Sequence, residues 1–183
     1  MKTEIQHINQ LLELCKKGNA NAQFTVYKQY YKAMYNTAIR IVNDSFEAED
    51  IMQESFLAAF TKLDSFSGTV SFGAWLKKIV INNSITALKK NKRIETKPLE
   101  NLNLSENEVN DVEDYDALSA KELLQKINEL KTNYKVSLTL HFIEGYDYEE
   151  IAQIMDISYE NSRTTISRAK NKLKQLLSVQ YER

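Results

Sequence analysis

Five cations and no acid fall between Arg163 and Lys174 (Arg163, Arg168, Lys170, Lys172, Lys174), directly after a stretch from Glu144 to Glu160 that holds six acids and no cation. Such side chains break no bonds. Lysine and arginine neutralise phosphates and release counterions, so the chemistry on offer is nucleic-acid binding. Spacing sorts the segment onto two helical faces, with Ile166, Ala169, Leu173 and Leu176 on one and Arg163, Ser167, Lys170 and Lys174 on another. Asn161, Ser162, Arg163, Thr164 and Thr165 stand at its start, where side chains reach base edges, and Asn161 and Arg163 have the groups for bidentate readout. A solvated amphipathic helix closing a bundle would show the same pattern.

A second candidate for contact with nucleic acid is the acid-free segment from Ala74 to Arg93. Trp75, Lys78, Asn82, Lys89 and Arg93 share a narrow stripe of its helical wheel, while Leu76, Val80, Ile81, Ala87 and Leu88 cover much of the rest. An indole with cations suits melted strands, where bases stack and phosphates meet Lys or Arg. The alternative makes Trp75 a core residue and KKNKR a helix end whose charges complement the macrodipole. The loop before it, Asp64 to Gly73, sets small polar residues between Phe66 and Phe72, which would suit a pocket wall. A third group, Asp50, Gln53 and Glu54, forms an acid-amide-acid ridge on the face away from Met52, Phe56, Ala59, Phe60 and Leu63. It reads either as a solvated face or as a strip for a basic partner helix.

The elements that must hold these groups are all helical. Four glycines and one proline in 183 residues leave few breaks for strands or hairpins. Ile151, Ala152 and Met155 give the cationic helix a companion, and Asp156-Ile157-Ser158 supplies the turn between them, so the pair reads as a helix-turn-helix. Asp tolerates a left-handed backbone there, and Ser158 or Asn161 can cap the second helix. Toward the amino terminus the pattern predicts helices over 5–17 and 21–42 with a break at Gly18-Asn19, the second packing Phe24, Tyr27, Tyr30, Tyr31 and Tyr35 into a core. Cys15, beside Leu11, Leu12 and Leu14, is expected to be a buried thiol, and as the only cysteine it fits a reducing compartment.

Charge divides the chain. Residues 1–93 carry 13 cations and 8 acids, residues 94–118 carry Lys97 alone against 8 acids, and residues 119–183 carry 10 cations and 9 acids. The middle segment is acidic, Asn-rich and poor in large apolar residues, so two small helical domains, 1–93 and 119–183, are expected on either side of a flexible linker at 94–118. No stretch approaches the roughly 20 apolar residues that a bilayer span needs, and no leader peptide is recognisable, so the expectation is a cytoplasmic protein with no direct membrane insertion. His7 and His141 are isolated, and no phosphate-binding glycine loop or Cys/His metal cluster occurs; no catalytic residue, metal or cofactor is assigned.

Taken in order, these segments resemble an extracytoplasmic-function sigma factor of the sigma-70 family. AEDIMQESFLAAF and FSGTVSFGAWLKKIVINNSITALKKNKR resemble the family's region 2, and the helix-turn-helix resembles its region 4. The resemblance implies a non-enzymatic subunit that directs bacterial core RNA polymerase to promoters and assists their opening. It implies further that Asp50, Gln53, Glu54 and Phe56 dock on the clamp helices of the largest subunit. Phe66, Ser67, Gly68, Thr69 and Ser71 would hold a flipped base of the minus-ten element, with Trp75, Lys78, Asn82, Lys89, Lys92 and Arg93 beside the melted strand. Asn161, Ser162, Arg163, Thr164, Thr165, Ser167, Arg168 and Lys170 would read the minus-thirty-five duplex, and helices around 123–142 would hold the flap of the second-largest subunit. An anti-sigma factor is an implied partner, and the free protein is expected to be monomeric. Asp156 departs from the usual turn glycine, Ser162 from a valine that often packs, Thr165 from a frequent arginine and Val70 from a polar loop residue. Two other readings stand beside this one: a helix-turn-helix regulator acting without being a polymerase subunit, and a sigma-like decoy that has lost DNA binding.

Overall fold

The computed structural model describes the backbone of residues 2–94 and 115–181, with side chains over 7–90, at 120 and over 122–177. Every regular element among the described residues is helical, as expected. The chain divides into two compact units, Met1–Lys90 and Asn91–Arg183. Most of the segment expected to be a linker, residues 95–114, lies outside the described residues.

In the first unit α1 (Lys2–Lys16) ends where Gly18 takes a left-handed φ of 76°. Asn19 then caps α2 (Ala20–Val42), its side chain accepting from the Ala22 N–H at 3.0 Å. Asn43, also left-handed, closes α2 by donating its N–H to the Ile39 carbonyl, and Asp44 caps α3 (Ser45–Thr61) through the Glu47 N–H. A single 3-10 turn, Leu63–Ser65, leads into the loop, and Ser71 caps α4 (Phe72–Ile94) through the Ala74 N–H. Leu12 and Cys15 of α1, Val26, Met34 and Ile41 of α2, Ile51, Met52 and Phe56 of α3, and Leu76, Val80 and Ile81 of α4 are buried. Burial raises the Cys15 thiol pKa, because the thiolate would lose its hydration.

The aromatic set of α2 departs from expectation. Tyr30 shares the face of Val26 and Met34, half-buried and edge-on to Phe72 at 5.4 Å. Phe24 and Tyr31 instead lie about 100° further around the helix and remain exposed, Lys28 resting over the Phe24 ring. Five aromatics spread over that arc cannot all face one neighbour. Where α4 meets α2, Gly73 lets the helices approach closely: a β-carbon there would lie 3.0 Å from Tyr30 Cε1, so the tyrosine ring would have to shift by a few tenths of an ångström. A part-buried polar link ties α3 to α4, Asn83 Nδ2 donating to Ser55 Oγ at 2.9 Å while Ser55 donates to the Ile51 carbonyl.

The second unit comprises α5 (Tyr115–Asn128), α6 (Thr132–Leu138), a π-helical turn (Thr139–Ile143), α7 (Tyr148–Met155) and α8 (Tyr159–Tyr181). Ile127, Leu130, Val136, Leu138, Leu140, Ile151, Ala152, Ile166 and Ala169 form its core. Lys135 is also buried, and desolvation of its ammonium lowers its pKa. Asp147 and Glu150 make a reciprocal capping box at the start of α7. Asp156 stops α7 in the left-handed conformation, φ 59° and ψ 54°, and Ser158 rather than Asn161 caps α8, its hydroxyl accepting from the Asn161 N–H at 3.2 Å.

Candidate nucleic-acid interface

The α7–α8 pair is built as its sequence predicts. Ile151, Ile166 and Ala169 are sealed between the helices, which leaves Arg163, Ser167 and Lys170 on an exposed face. An open groove along it is lined by Tyr148, Glu160, Arg163, Thr164, Ser167 and Lys170. Asn161, Thr164 and Arg168 are exposed and Thr165 half-buried. The Thr164 hydroxyl donates to the Glu160 carbonyl at 2.8 Å, so it offers a bound ligand its lone pairs first. Two cations rest on rings: Arg163 lies 6.0 Å from the Tyr159 centroid, and Lys170 Nζ 5.1 Å from that of Phe142.

Ser162 is the exception. Its side chain is fully buried and its hydroxyl has no hydrogen-bond partner among the described residues, so it cannot reach a base edge. The reason is geometric: Ser162, Ile166, Ala169 and Leu173 follow one another at helical spacing, which places Ser162 on the core stripe. Ser162→Ala should therefore stabilise this unit by about 1 kcal/mol, since it deletes an unpaired buried hydroxyl and improves helix propensity. Thermal unfolding of the full chain should shift upward by a few degrees with duplex binding unchanged, and a loss of binding would restore Ser162 to the reading set.

His141, isolated in sequence, is well partnered in space. Its ring stacks on Tyr148 at 4.9 Å and meets Phe142 edge-on, and Nδ1 lies 2.9 Å from the Tyr146 carbonyl. A carbonyl only accepts, so Nδ1 carries the proton, and the histidine serves as packing behind the groove. Burial, then Glu144 and Glu150, raise the Tyr146 phenol pKa. Leu123, Leu124 and Phe142, in the segment expected to hold the flap, are exposed.

In the first unit, Phe66, Phe72 and Trp75 form an aromatic cluster with centroids 5.3 to 5.8 Å apart. Phe72 is buried within it, and Phe66 and Trp75 are half-buried at its surface. Trp75 is thus neither sealed in the core nor fully exposed. Ser67, Gly68, Thr69 and Ser71 are exposed on the adjoining loop, Gly68 with a left-handed φ of 73°, and the Ser67 and Thr69 hydroxyls are paired at 3.0 Å. Lys78, Asn82 and Lys89 continue the exposed stripe of α4, whereas the side chains of Lys92 and Arg93 lie outside the described residues.

The α3 ridge is solvent-facing: Asp50, Gln53 and Glu54 are all exposed. Phe56, expected beside them in the docking strip, is 3% exposed and packs on Tyr27 and Phe60. It belongs to the core, because it faces α2 across the helix pair. The exposed apolar side chains of α3 are instead Phe46 and Leu57, neither of which the sequence singles out.

Comparison with known proteins covers both units. The sigma-70 region 2 family matches residues 26–94 and the sigma-70 region 4 family residues 120–173. The chain is 30% identical over 180 residues to the ECF RNA polymerase sigma factor SigW of Bacillus subtilis, an alignment that takes in 93% of this chain and 96% of SigW. It is 29% identical to the ECF RNA polymerase sigma-E factor of Haemophilus influenzae over 182 residues, 91% and 95% of the two chains. Among solved structures, the fold is similar to the sigma factor RpoE of Bartonella quintana in complex with the anti-sigma factor NepR (TM-score 0.61, 23% identity, 85% of this chain and 96% of that one). It is also similar to CnrH in complex with the cytosolic domain of CnrY (TM-score 0.55, 22% identity, 92% and 96%). Region 2 and region 4 thus fall on the two compact units in the order the sequence predicts, and the chain belongs to the extracytoplasmic-function sigma factors, the RNA polymerase specificity subunits of the sigma-70 family.

Proposed function

We propose that this sigma factor divides promoter recognition between its units. Asp50, Gln53 and Glu54 dock on the clamp helices of core polymerase. The loop from Phe66 to Ser71 takes a flipped base of the minus-ten element, and Trp75, Lys78, Asn82, Lys89, Lys92 and Arg93 follow the melted strand. Asn161, Arg163, Thr164, Thr165, Ser167, Arg168 and Lys170 read the minus-thirty-five duplex. The observation that carries this reading is the exposed cationic face of α8 set opposite a sealed apolar one. Flipping a base costs a few kcal/mol, which a pocket for the extruded base offsets, so opening needs no bond-breaking chemistry in this chain and polymerisation belongs to the core enzyme.

The domains extend over 1–93 and 119–183, and the acidity of the segment 94–118 between them sets it against DNA phosphates. The exposed face around Leu123, Leu124 and Phe142 holds the flap. An anti-sigma factor is a further partner, a reading supported by the two similar folds, each solved with a protein of that kind or a cytosolic domain bound. The place of work is the cytoplasm, where polymerase and promoters are, and no helix among the described residues is long and apolar enough to cross a membrane.

Reconstitution tests the whole. The full chain with bacterial core polymerase should co-elute and give discrete transcript starts on genomic fragments; duplex binding without polymerase association would return the protein to the regulator reading. Within that assay Arg163→Ala should lower affinity for the cognate minus-thirty-five duplex by about 10-fold to 100-fold, the 1 to 3 kcal/mol of a base-reading arginine, while core affinity stays unchanged.

A further inference from the structure

Two side chains on α3 take no part in the fold. Phe46 is 82% and Leu57 68% exposed, the two most exposed large apolar residues among those described. They stand 11 residues apart on one face, which at helical rise is about 16 Å. Asp50 and Gln53 lie on the line between them, at helical spacings of four, three and four residues. Glu49 and Glu54 flank that line on either side, both exposed, and Gln53 Nε2 donates to Glu49 Oε1 at 3.3 Å. Among the described residues neither Asp50 nor Glu54 has an ion-pair partner.

We propose that Phe46 and Leu57 are the apolar anchors of the polymerase-docking surface, which extends over three turns of α3. This rests on the docking reading above and replaces Phe56 with side chains that solvent can reach. Burial decides between them. A residue sealed against Tyr27 and Phe60 has no surface left to give a partner, whereas an exposed phenylalanine has nearly all of its own. Affinity concentrates in apolar or aromatic anchors ringed by polar groups, and the acids set the sign of the partner's charge. The occupant is therefore a basic helical element of core polymerase that presents apolar sockets about three helical turns apart.

The test uses full-length Phe46→Ala, Leu57→Ala and Phe46→Leu, each checked by circular dichroism and thermal unfolding. Binding to core polymerase is then titrated at fixed salt. Each alanine variant should lose about 10-fold or more in affinity, as a buried interface anchor does, and Phe46→Leu should recover most of the loss. The salt dependence of binding should match the wild type in all three, since no charge is removed. Wild-type binding with both alanine variants equal to it overturns the proposal and leaves the acidic ridge as the docking element. Absence of wild-type binding overturns the docking reading itself. Sedimentation supplies the remaining outcome: a wild-type dimer that Phe46→Ala converts to monomer assigns this face to a second copy of the chain, and the proposal falls.

Discussion

Ile166→Ala should abolish duplex recognition by unfolding the carboxy-terminal unit, the largest effect expected from any single substitution in that unit. Ile166 is 1% exposed, at the contact of α8 with the rest of its unit, and lies three residues after Arg163 and one before Ser167. Truncating such a side chain costs about 2 to 5 kcal/mol through lost burial and the cavity left behind. A unit of this size rarely holds more than about 3 to 5 kcal/mol in total, so the variant sits at or past its margin. Calorimetry of the full chain should show the corresponding transition lowered by about 10 °C or more, with minus-thirty-five duplex binding lost. Core polymerase should still bind through α3. An unmoved transition would mean that α8 is held by something other than its Ile166 and Ala169 face.

The second large effect concerns the ridge. Gln53→Ala with Glu54→Lys should weaken binding to core polymerase about 100-fold, because it removes an amide contact and sets a cation against a basic partner, a juxtaposition worth several kcal/mol. Both side chains are exposed, so the thermal transitions should move little. The deficit should narrow as salt rises, which separates a charge effect from a packing one. Retained affinity at low salt would send the ridge back to being a solvated face.

Local chemistry dictates the features that could be read in advance. Asp156 in a left-handed turn, Ser158 as a cap and a sealed Ile166 and Ala169 face come from backbone preference and helical period, and all three stand in the structure. Ser162 was legible too, by position rather than by type: it continues the Ile166, Ala169, Leu173 stripe, yet its polarity and its place at the helix start argue for surface. Phe56 was legible from spacing, which sets it on the apolar face with Met52 and Ala59, and only the family resemblance moved it to the docking strip. Phe24 and Tyr31 were not legible. An aromatic on an amphipathic helix is buried or bare according to where the neighbouring helix crosses, which is a tertiary fact that no spacing within one helix encodes. Phe46 gave no signal at all, since an apolar residue in the first turn of a helix is ordinary until its surroundings are found empty. His141 stands outside any chemical motif in the sequence, and its packing partners Tyr146 and Tyr148, five and seven residues on, are not marked by helical spacing.

The π-helical turn at Thr139–Ile143 bears on insertions and deletions. Glu144 N–H reaches back five residues to the Thr139 carbonyl, so this turn accommodates one residue more than an α-turn would. Residues 135–140, which run into its first two positions, are buried without interruption; at the next two, His141 stacks on Tyr148 and Phe142 is exposed. A chain shortened by one residue here could remain helical with ordinary bonds, yet everything beyond would rotate by about 100° and carry the cradle of the groove with it. Length in this turn is thus under tighter constraint than composition, and an alignment gap placed within it would signal a differently seated recognition helix.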